Sequence, residues 1–589
     1  MQSAETVLCV LRERGRRGLP CGELYRQMFN PHLYLLAYGR IYANHGAMTP
    51  GATQETVDGM SPQKIEAIID LMRHERYRFA PVRRVHIPKS NGKTRPLGVP
   101  TWSDKLVGEV VRLLLEAYFE PRFSDHSHGF RRGRGCHTAL REVARTWTGT
   151  AWFIEGDIAD CFGSLDQNVL LSILSEKIHD NRFLRLVRGM LTAGYLEDWT
   201  WNATLSGAPQ GGVVSPILSN IYLHKLDTFV EQVLIPEYTR GGRRARNPEY
   251  LQVANQLAQA RRRGDRALVR TLRQRLHSLP SVDARDPGYR RLRYVRYADD
   301  HLLGFAGPRH EAEEIKRRLR DFLRDELALE LSADKTLITH ARTQAAKFLG
   351  YAIIVQRDSR RLIAGQRTGN GAVGLRVPRD VIAAKCSPHL RRGKPVHRGA
   401  LANSDDYTIV ATYGAEYRGL VQYYLLAGDV FRLHRLEWVM ATSMLKTLAC
   451  RHRSTVAKMA ARYAAKINTP HGPRACFEAS IARDGKTALV ARFGGIPLRR
   501  QKMVVLSDQR PVNVSYPHKE LVARVLAKRC ELCQQMGEIE VHHVRKLADL
   551  TFADPIGQST PDWVRVMTRR GRKALVVCVT CHGRIHSGS

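Results

Sequence analysis

The sequence predicts a multidomain α+β protein that ends in a small metal-held module, and three observations support this. A chain of 589 residues is too long for one compact core. Strand-like runs punctuated by glycine follow and precede stretches with the 3.6-residue period of amphipathic helices. Four of the eleven cysteines stand as two pairs near the end, in "CELC" and "CVTC".

Residues 1–80 read as helices and connectors, closing with "SPQKIEAIIDLMRHERY", where Ser61 can cap and Pro62 suits the first turn. "VRRVHIPK" and "GKTRPLGVP" then predict strand, turn and strand over 82–100, and "KLVGEVVRLLLEAYF" predicts a helix over 105–119. "AWFIEGDI" at 151–158 reads as a buried strand ending in acids. An arginine-dense insertion, 238–293, has leucines at helical spacing and is expected as exposed helix packed on one side. From about 360 to 510 the pattern predicts mostly helix, and 525–589 predicts a compact Cys/His module.

Apolar content of 43% with 25% charged residues is that of a globular protein. Lys plus Arg number 93 against 56 Asp plus Glu, a net +37, which is the footprint of a protein that binds a polyanion. No run of about 18 apolar residues occurs, so no membrane span is predicted. The N-terminal "TVLCVLRERGRRGLP" has too short an apolar run for a signal peptide, and Glu5 and Glu13 oppose a transit peptide, so an intracellular protein is expected.

"RYVRYADDHLLGFAG" predicts a β-hairpin with Asp299 and Asp300 together at an exposed tip. Such a pair reads either as a surface turn or as a site where divalent cations offset two repelling carboxylates. The second reading needs another acid, and Asp157, at the end of the strand in "FIEGDIADCFGSLD", is the best candidate. His301, directly after the pair, has no role on this reading.

"GDIADCF", "GAPQGGVVSPILSNIYL" and "YADD" together resemble the palm of reverse transcriptases. With "NHGAMTPG" (44–51), "IPKSNGKTRPLGVPTWSDKLV" (87–107), "SDHSHGFRRGRGCHTAL" (124–140), "LSADKTLITH" (331–340) and "KFLGY" (347–351), in that order, the chain resembles the group II intron-encoded reverse transcriptase/maturases. The resemblance implies a right-hand polymerase with fingers and palm over 81–355 and a helical thumb, the maturase X domain, over 356–515. Asp157, Asp299 and Asp300 would hold two Mg²⁺ ions, with the Ile158 carbonyl as a further ligand. Lys93, Arg95 and Gln210 would meet the incoming dNTP, and Phe162 would gate against a ribose 2′-hydroxyl unless it is simply core. Lys335 in "ADKT" fits the same site or a solvated surface. The family's first palm motif commonly reads Asp-Ile-Lys-Gly-Cys-Phe-Asp. Here Ala159, Asp160 and Gly163 depart from it while Asp157 is retained. In the thumb, Arg435, Lys446, Arg451 and His452 are candidate contacts to intron RNA.

Cys530, Cys533, Cys578 and Cys581 form two Cys-x-x-Cys pairs, as tetrahedral structural Zn²⁺ requires. Between and after them stand His542 and His543 on a short strand, and His582 and His586 four apart on one helix face. This block resembles the HNH endonuclease ββα-metal fold. That resemblance implies His542 as a ligand of a catalytic divalent cation, His543 as the general base, and His582 and His586 as further ligands or phosphate contacts. The Asn that usually orients the base falls near Ala574 and is missing. The implied protein copies RNA into DNA, assists intron splicing and nicks target DNA, and is monomeric or dimeric on RNA, in bacterial cytoplasm or encoded by an organelle. The alternatives are a splicing cofactor whose enzymatic sites are unused, or a retron or defence reverse transcriptase.

Overall fold

A computed structural model describes residues 2–587 except 45, 89–91, 93, 198–199, 205–206, 208–211, 284–285, 333, 357–361, 364–365, 368–369, 484–485, 505–519, 548–549 and 551–560. Lys93 and Gln210 therefore lie outside the described residues.

The centre is a four-stranded antiparallel sheet in the order Arg291–Tyr297, Asp300–Ala306, Trp152–Gly156, Ile338–His340. The middle strands are apolar on both faces because each face meets a separate core. Leu303 and Phe305 join one large cluster, with the helices Trp102–Phe119 and Ser215–Phe229, and Leu302 and Val295 join the other. Thr101 caps the first of these helices by accepting a hydrogen bond from the Asp104 amide. A second four-stranded sheet, ordered Thr94–Val99, Val82–Pro88, Tyr195–Glu197, Thr200–Asn202, lies upstream. Its first pair realises the two expected strands, while the expected turn, apart from Gly92, lies outside the described residues. The insertion forms two helices, Pro248–Arg262 and Arg266–Ser278, closed by a small core of Val253, Leu257, Ala260 and Leu272.

The region expected to be mostly helical departs from that reading. Helices Asp406–Tyr424, His434–Arg451 and Val456–Tyr463 are followed by a three-stranded antiparallel sheet of Ala464–Thr469, Gly472–Arg483 and Lys486–Gly494. Gly472, at φ +93°, closes the first hairpin opposite Thr469, a left-handed position that glycine adopts without strain. Alanines in these strands let Ala479 and Ala491 pack closely under the helices, so residues that favour helix in isolation serve the sheet through packing.

The terminal module is a hairpin of Ile539–His543 and Ala574–Cys578 followed by the helix Val579–Ser587. Its hairpin has two apolar faces. Leu575 and Val577 meet Cys530, Met567 and Ile585 in the module's own core. Val541 and Val576 join Leu521, Val522 and Val525 in the large cluster that includes Tyr38 and Met60 from the beginning of the chain. Among the described residues no helix is long and apolar enough to cross a membrane.

Candidate active sites

Sheet register brings the expected acids together. Gly156 pairs with His301 and Tyr297 with Asp300, so Asp157, one residue beyond its strand, emerges at the end of the sheet where the hairpin turns. Asp299 and Asp300 are half-buried there rather than exposed, because the turn lies under the 124–131 loop. Burial, and then the Asp157 charge, raise the Asp299 carboxyl above its ordinary pKa. Burial raises Asp300 as well, followed by the charges of Asp299 and Asp157. Lys335 Nζ sits 2.6 Å from Asp157 Oδ2, which puts this exposed lysine at the rim of the site. Asp157 and Asp300 approach within hydrogen-bond reach, with Asp299 beside them, and neighbouring carboxylate oxygens are donors suited to hard divalent cations. Ile158 is buried and bridges to Leu331. Phe162 lies beside the acids with its ring edge-on to Phe130 at 6.2 Å between centroids, and Arg95 is close enough to stabilise ionised Asp299.

Three features of this turn were not evident from sequence. Ala298 holds φ +55°, and a Cβ on Gly129 would stand 2.3 Å from its nitrogen, so only glycine lets the loop lie on the turn. Arg296 is fully buried beneath the turn. It donates through Nε and Nη2 to Asp227, each at 2.7 Å, and through Nη1 to the Ala298 carbonyl at 2.8 Å. His301 finds its role here: its ring lies over Gly156, where a Cβ would come within 2.0 Å of Nε2, and its Nδ1–H donates to the Asp299 carbonyl at 3.3 Å. Burial lowers its pKa to about 4, so it is a neutral brace. The unusual Asp160 holds φ +40° and folds its carboxylate over Gly163, where a Cβ would lie 2.2 Å from Oδ2. Two of the three departures from the family motif, Asp160 and Gly163, therefore depend on each other.

In the terminal module the four cysteine sulfurs lie within 4.8 Å of one another, and Cys533 and Cys581 direct their amides to the sulfurs of Cys530 and Cys578 at 3.5 Å. Backbone donors to thiolate sulfur fit a Cys₄ zinc site. His542, His582 and His586 also converge as expected, but on a fourth residue that sequence did not suggest, Asp58, all four offering donor atoms within 4.8 Å. Glu540 accepts from His582 Nδ1 at 2.5 Å, leaving Nε2 for the cluster. His543 is buried, which lowers its pKa to about 4, and its Nε2 shares a 3.1 Å hydrogen bond with the Tyr38 hydroxyl. Ala574 stands directly across the hairpin from His543, so Tyr38 supplies the polar partner that a residue at 574 does not. No local pattern marks Asp58 or Tyr38, since their partners lie at the other end of the chain.

Residues 87–353 match the reverse transcriptase (RNA-dependent DNA polymerase) family, 380–493 the type II intron maturase family, and 530–582 the AI2M/AI1M-like HNH endonuclease family. The group II intron-encoded protein LtrA of Lactococcus lactis is 37% identical over 95% of both chains. The chain belongs to the group II intron-encoded proteins. A 91 kDa protein in the cob intron of Schizosaccharomyces pombe is 33% identical over 96% of this chain and 70% of its own. The nuclear intron maturase 1 of Arabidopsis thaliana is 25% identical over 45% and 42% respectively. This group II intron-encoded protein is thus a reverse transcriptase and maturase with an HNH endonuclease domain. Of the candidate RNA contacts in its maturase region, Arg451 and His452 pair with Asp406 at 3.1 and 2.8 Å, and Lys446 donates to the Pro395 carbonyl at 2.7 Å. Arg435 is exposed one helical turn from Trp438, which is 58% exposed.

Proposed function

We propose that Asp157, Asp299, Asp300 and the Ile158 carbonyl hold two Mg²⁺ ions at a right-hand polymerase centre. The observation that carries this is the register that delivers Asp157 and the hairpin turn to one end of one sheet. Bound there, the ions would supply activation of a primer 3′-hydroxyl and charge stabilisation of the pyrophosphate leaving group. Arg95, with Lys93 and Gln210, receives the dNTP, and Lys335 offsets the carboxylates as the triphosphate arrives. Phe162, held edge-on by Phe130, closes the ribose side of the pocket.

The division into fingers and palm (81–355), thumb (356–515) and nuclease (525–589) follows these sites, with 1–80 leading into the fingers. Intron RNA is gripped by the basic insertion and the thumb, where Arg435 and Trp438 offer a cation and a stacking face. Cys530, Cys533, Cys578 and Cys581 hold a structural Zn²⁺. His543 takes a proton from water for target-strand cleavage beside a divalent ion on His542, His582 and His586, leaving a 3′-hydroxyl for the polymerase to extend along intron RNA. The setting is bacterial cytoplasm or an organelle that encodes the protein, and the protein acts as a monomer or dimer on RNA.

The variant Asp299→Ala tests the assignment. Primer extension on intron RNA should be lost while splicing of the same RNA persists. Unchanged extension overturns the metal-site reading, and loss of both activities in a folded variant overturns the separation of polymerase from maturase.

A further inference from the structure

We propose that Asp58, from the segment leading into the fingers, is the fourth ligand of the nuclease ion and holds the coordination position that DNA phosphate must take. The resting nuclease is thereby pinned shut on the polymerase. This rests on the reading of the module as an HNH nuclease.

A catalytic metal site of this kind has three protein ligands and keeps one position open for water or substrate. Here that position is filled by an anionic oxygen donor. Asp58 Oδ1 lies 3.3 Å from His542 Nδ1 and 3.5 Å from His582 Nε2, and Oδ2 lies 2.8 Å from His586 Nε2. His542 is buried, and neither of its ring nitrogens has a hydrogen-bond partner, as a ligand aimed at an ion would be left. The Nε2 atoms of His582 and His586 point at the same place, 3.2 Å apart.

An earlier element, the helix Pro31–Ile41 with its cap Tyr42, covers the base. His543 is 6% exposed, hydrogen-bonded to Tyr38 and flanked by the Tyr42 ring at 6.1 Å between centroids. Main-chain pairing secures the closure: Gly59 N donates to the Val541 carbonyl at 3.1 Å and Val541 N to the Met60 carbonyl at 3.0 Å, an antiparallel bridge along the edge of the nuclease hairpin. Asp58 Oδ1 also accepts from the His543 amide at 2.7 Å, fixing the carboxylate. A DNA phosphate cannot reach the coordination position that Asp58 holds until residues 58–60 leave. Phosphate, an anion with the same donor atoms, is the competitor chemically fitted to displace Asp58.

The test uses the full chain with its zinc in place. Co²⁺ titration followed by absorbance should show about tenfold weaker binding at the histidine site in Asp58→Ala than in wild type, by analogy with the loss of a supporting ligand. Asp58→Asn, which keeps the shape and the amide contact, should behave similarly. In wild type, Co²⁺ should slow hydrogen exchange at the Val541 and Gly59 amides, and in Asp58→Ala it should not. At saturating Mn²⁺, Asp58→Ala should nick supercoiled plasmid several-fold faster than wild type. Unchanged Co²⁺ binding with metal-independent exchange overturns the shared ligand. Nicking that falls in Asp58→Ala makes Asp58 part of the active centre and overturns the lock. His543→Ala separates the two readings: if Asp58→Ala/His543→Ala still nicks as Asp58→Ala does, the general-base assignment fails while the cobalt and exchange results judge the lock.

Discussion

Replacing Arg296 by Met should show how much of the polymerase centre rests on a buried charge. Arg296 and Asp227 are both fully buried, and the guanidinium makes two 2.7 Å bonds to Asp227 and one to the Ala298 carbonyl in the turn that carries Asp299. Met fills the space but leaves the buried Asp227 with the Tyr294 hydroxyl 2.8 Å away and His224 Nδ1 at 4.0 Å in place of the guanidinium. Stranding one member of a buried pair costs about 3–5 kcal/mol, whereas replacing both by apolar groups is often neutral. Thermal unfolding should therefore begin roughly 10 °C lower in Arg296→Met, and Arg296→Met/Asp227→Leu should recover most of that loss. Primer extension should remain depressed in the double variant, because the Ala298 carbonyl still lacks its donor and the turn loses its brace. If the single variant melts and extends primer like wild type, or the double variant regains full extension, the turn is not held from beneath in this way.

Gly129→Ala places a methyl where 2.3 Å separates it from the Ala298 nitrogen, so the turn must shift; extension should fall by at least tenfold while the melting profile of the rest of the chain changes little. Cys533→Ser should release zinc on dialysis against a mild chelator and expose the 530–587 module to protease, with extension on a primed template retained. For Glu142, burial pushes the carboxyl up, but hydrogen bonds from His126 and His128 outweigh it and hold the pKa at about 2. This lowered value gives stability that is present above the ordinary carboxyl pKa near 4.5 and is lost as pH falls through about 2, on the order of 3 kcal/mol. The bond from His126 raises that histidine instead, so its share is present below its ordinary value of 6.5 and is lost as pH rises through the raised value. Glu142→Gln should flatten both limbs of the stability profile measured by denaturant midpoint.

The parts legible in the sequence were those encoded within one short segment. Paired acids at a hairpin turn, an acid closing an apolar strand, and Cys-x-x-Cys pairs with histidines four apart each carry their geometry in local spacing. The sheet at 464–494 was hidden because its alanines favour helix alone and are drawn into strands by the space beneath two helices. Nothing in the sequence separates Arg296 from the other cations of a basic chain, and only packing shows that Asp227 lies beside it beneath the turn. His301 had no visible purpose until the strand beside it proved to be glycine at the one point where its ring lies. Asp58 and Tyr38 were out of reach for a different reason: their partners are at the opposite end of the chain, and no periodicity spans that separation.

The hairpin at 539–578 contributes Val541 and Val576 to the same core as Tyr38, Met60 and Trp102. The core around Tyr38 and Met60 therefore cannot close until residues 541–576 have been made. A chain interrupted before residue 541 would carry an uncovered apolar face beside its polymerase sheets, open to aggregation and proteolysis. Completion of the polymerase fold is thus tied to synthesis of the nuclease hairpin.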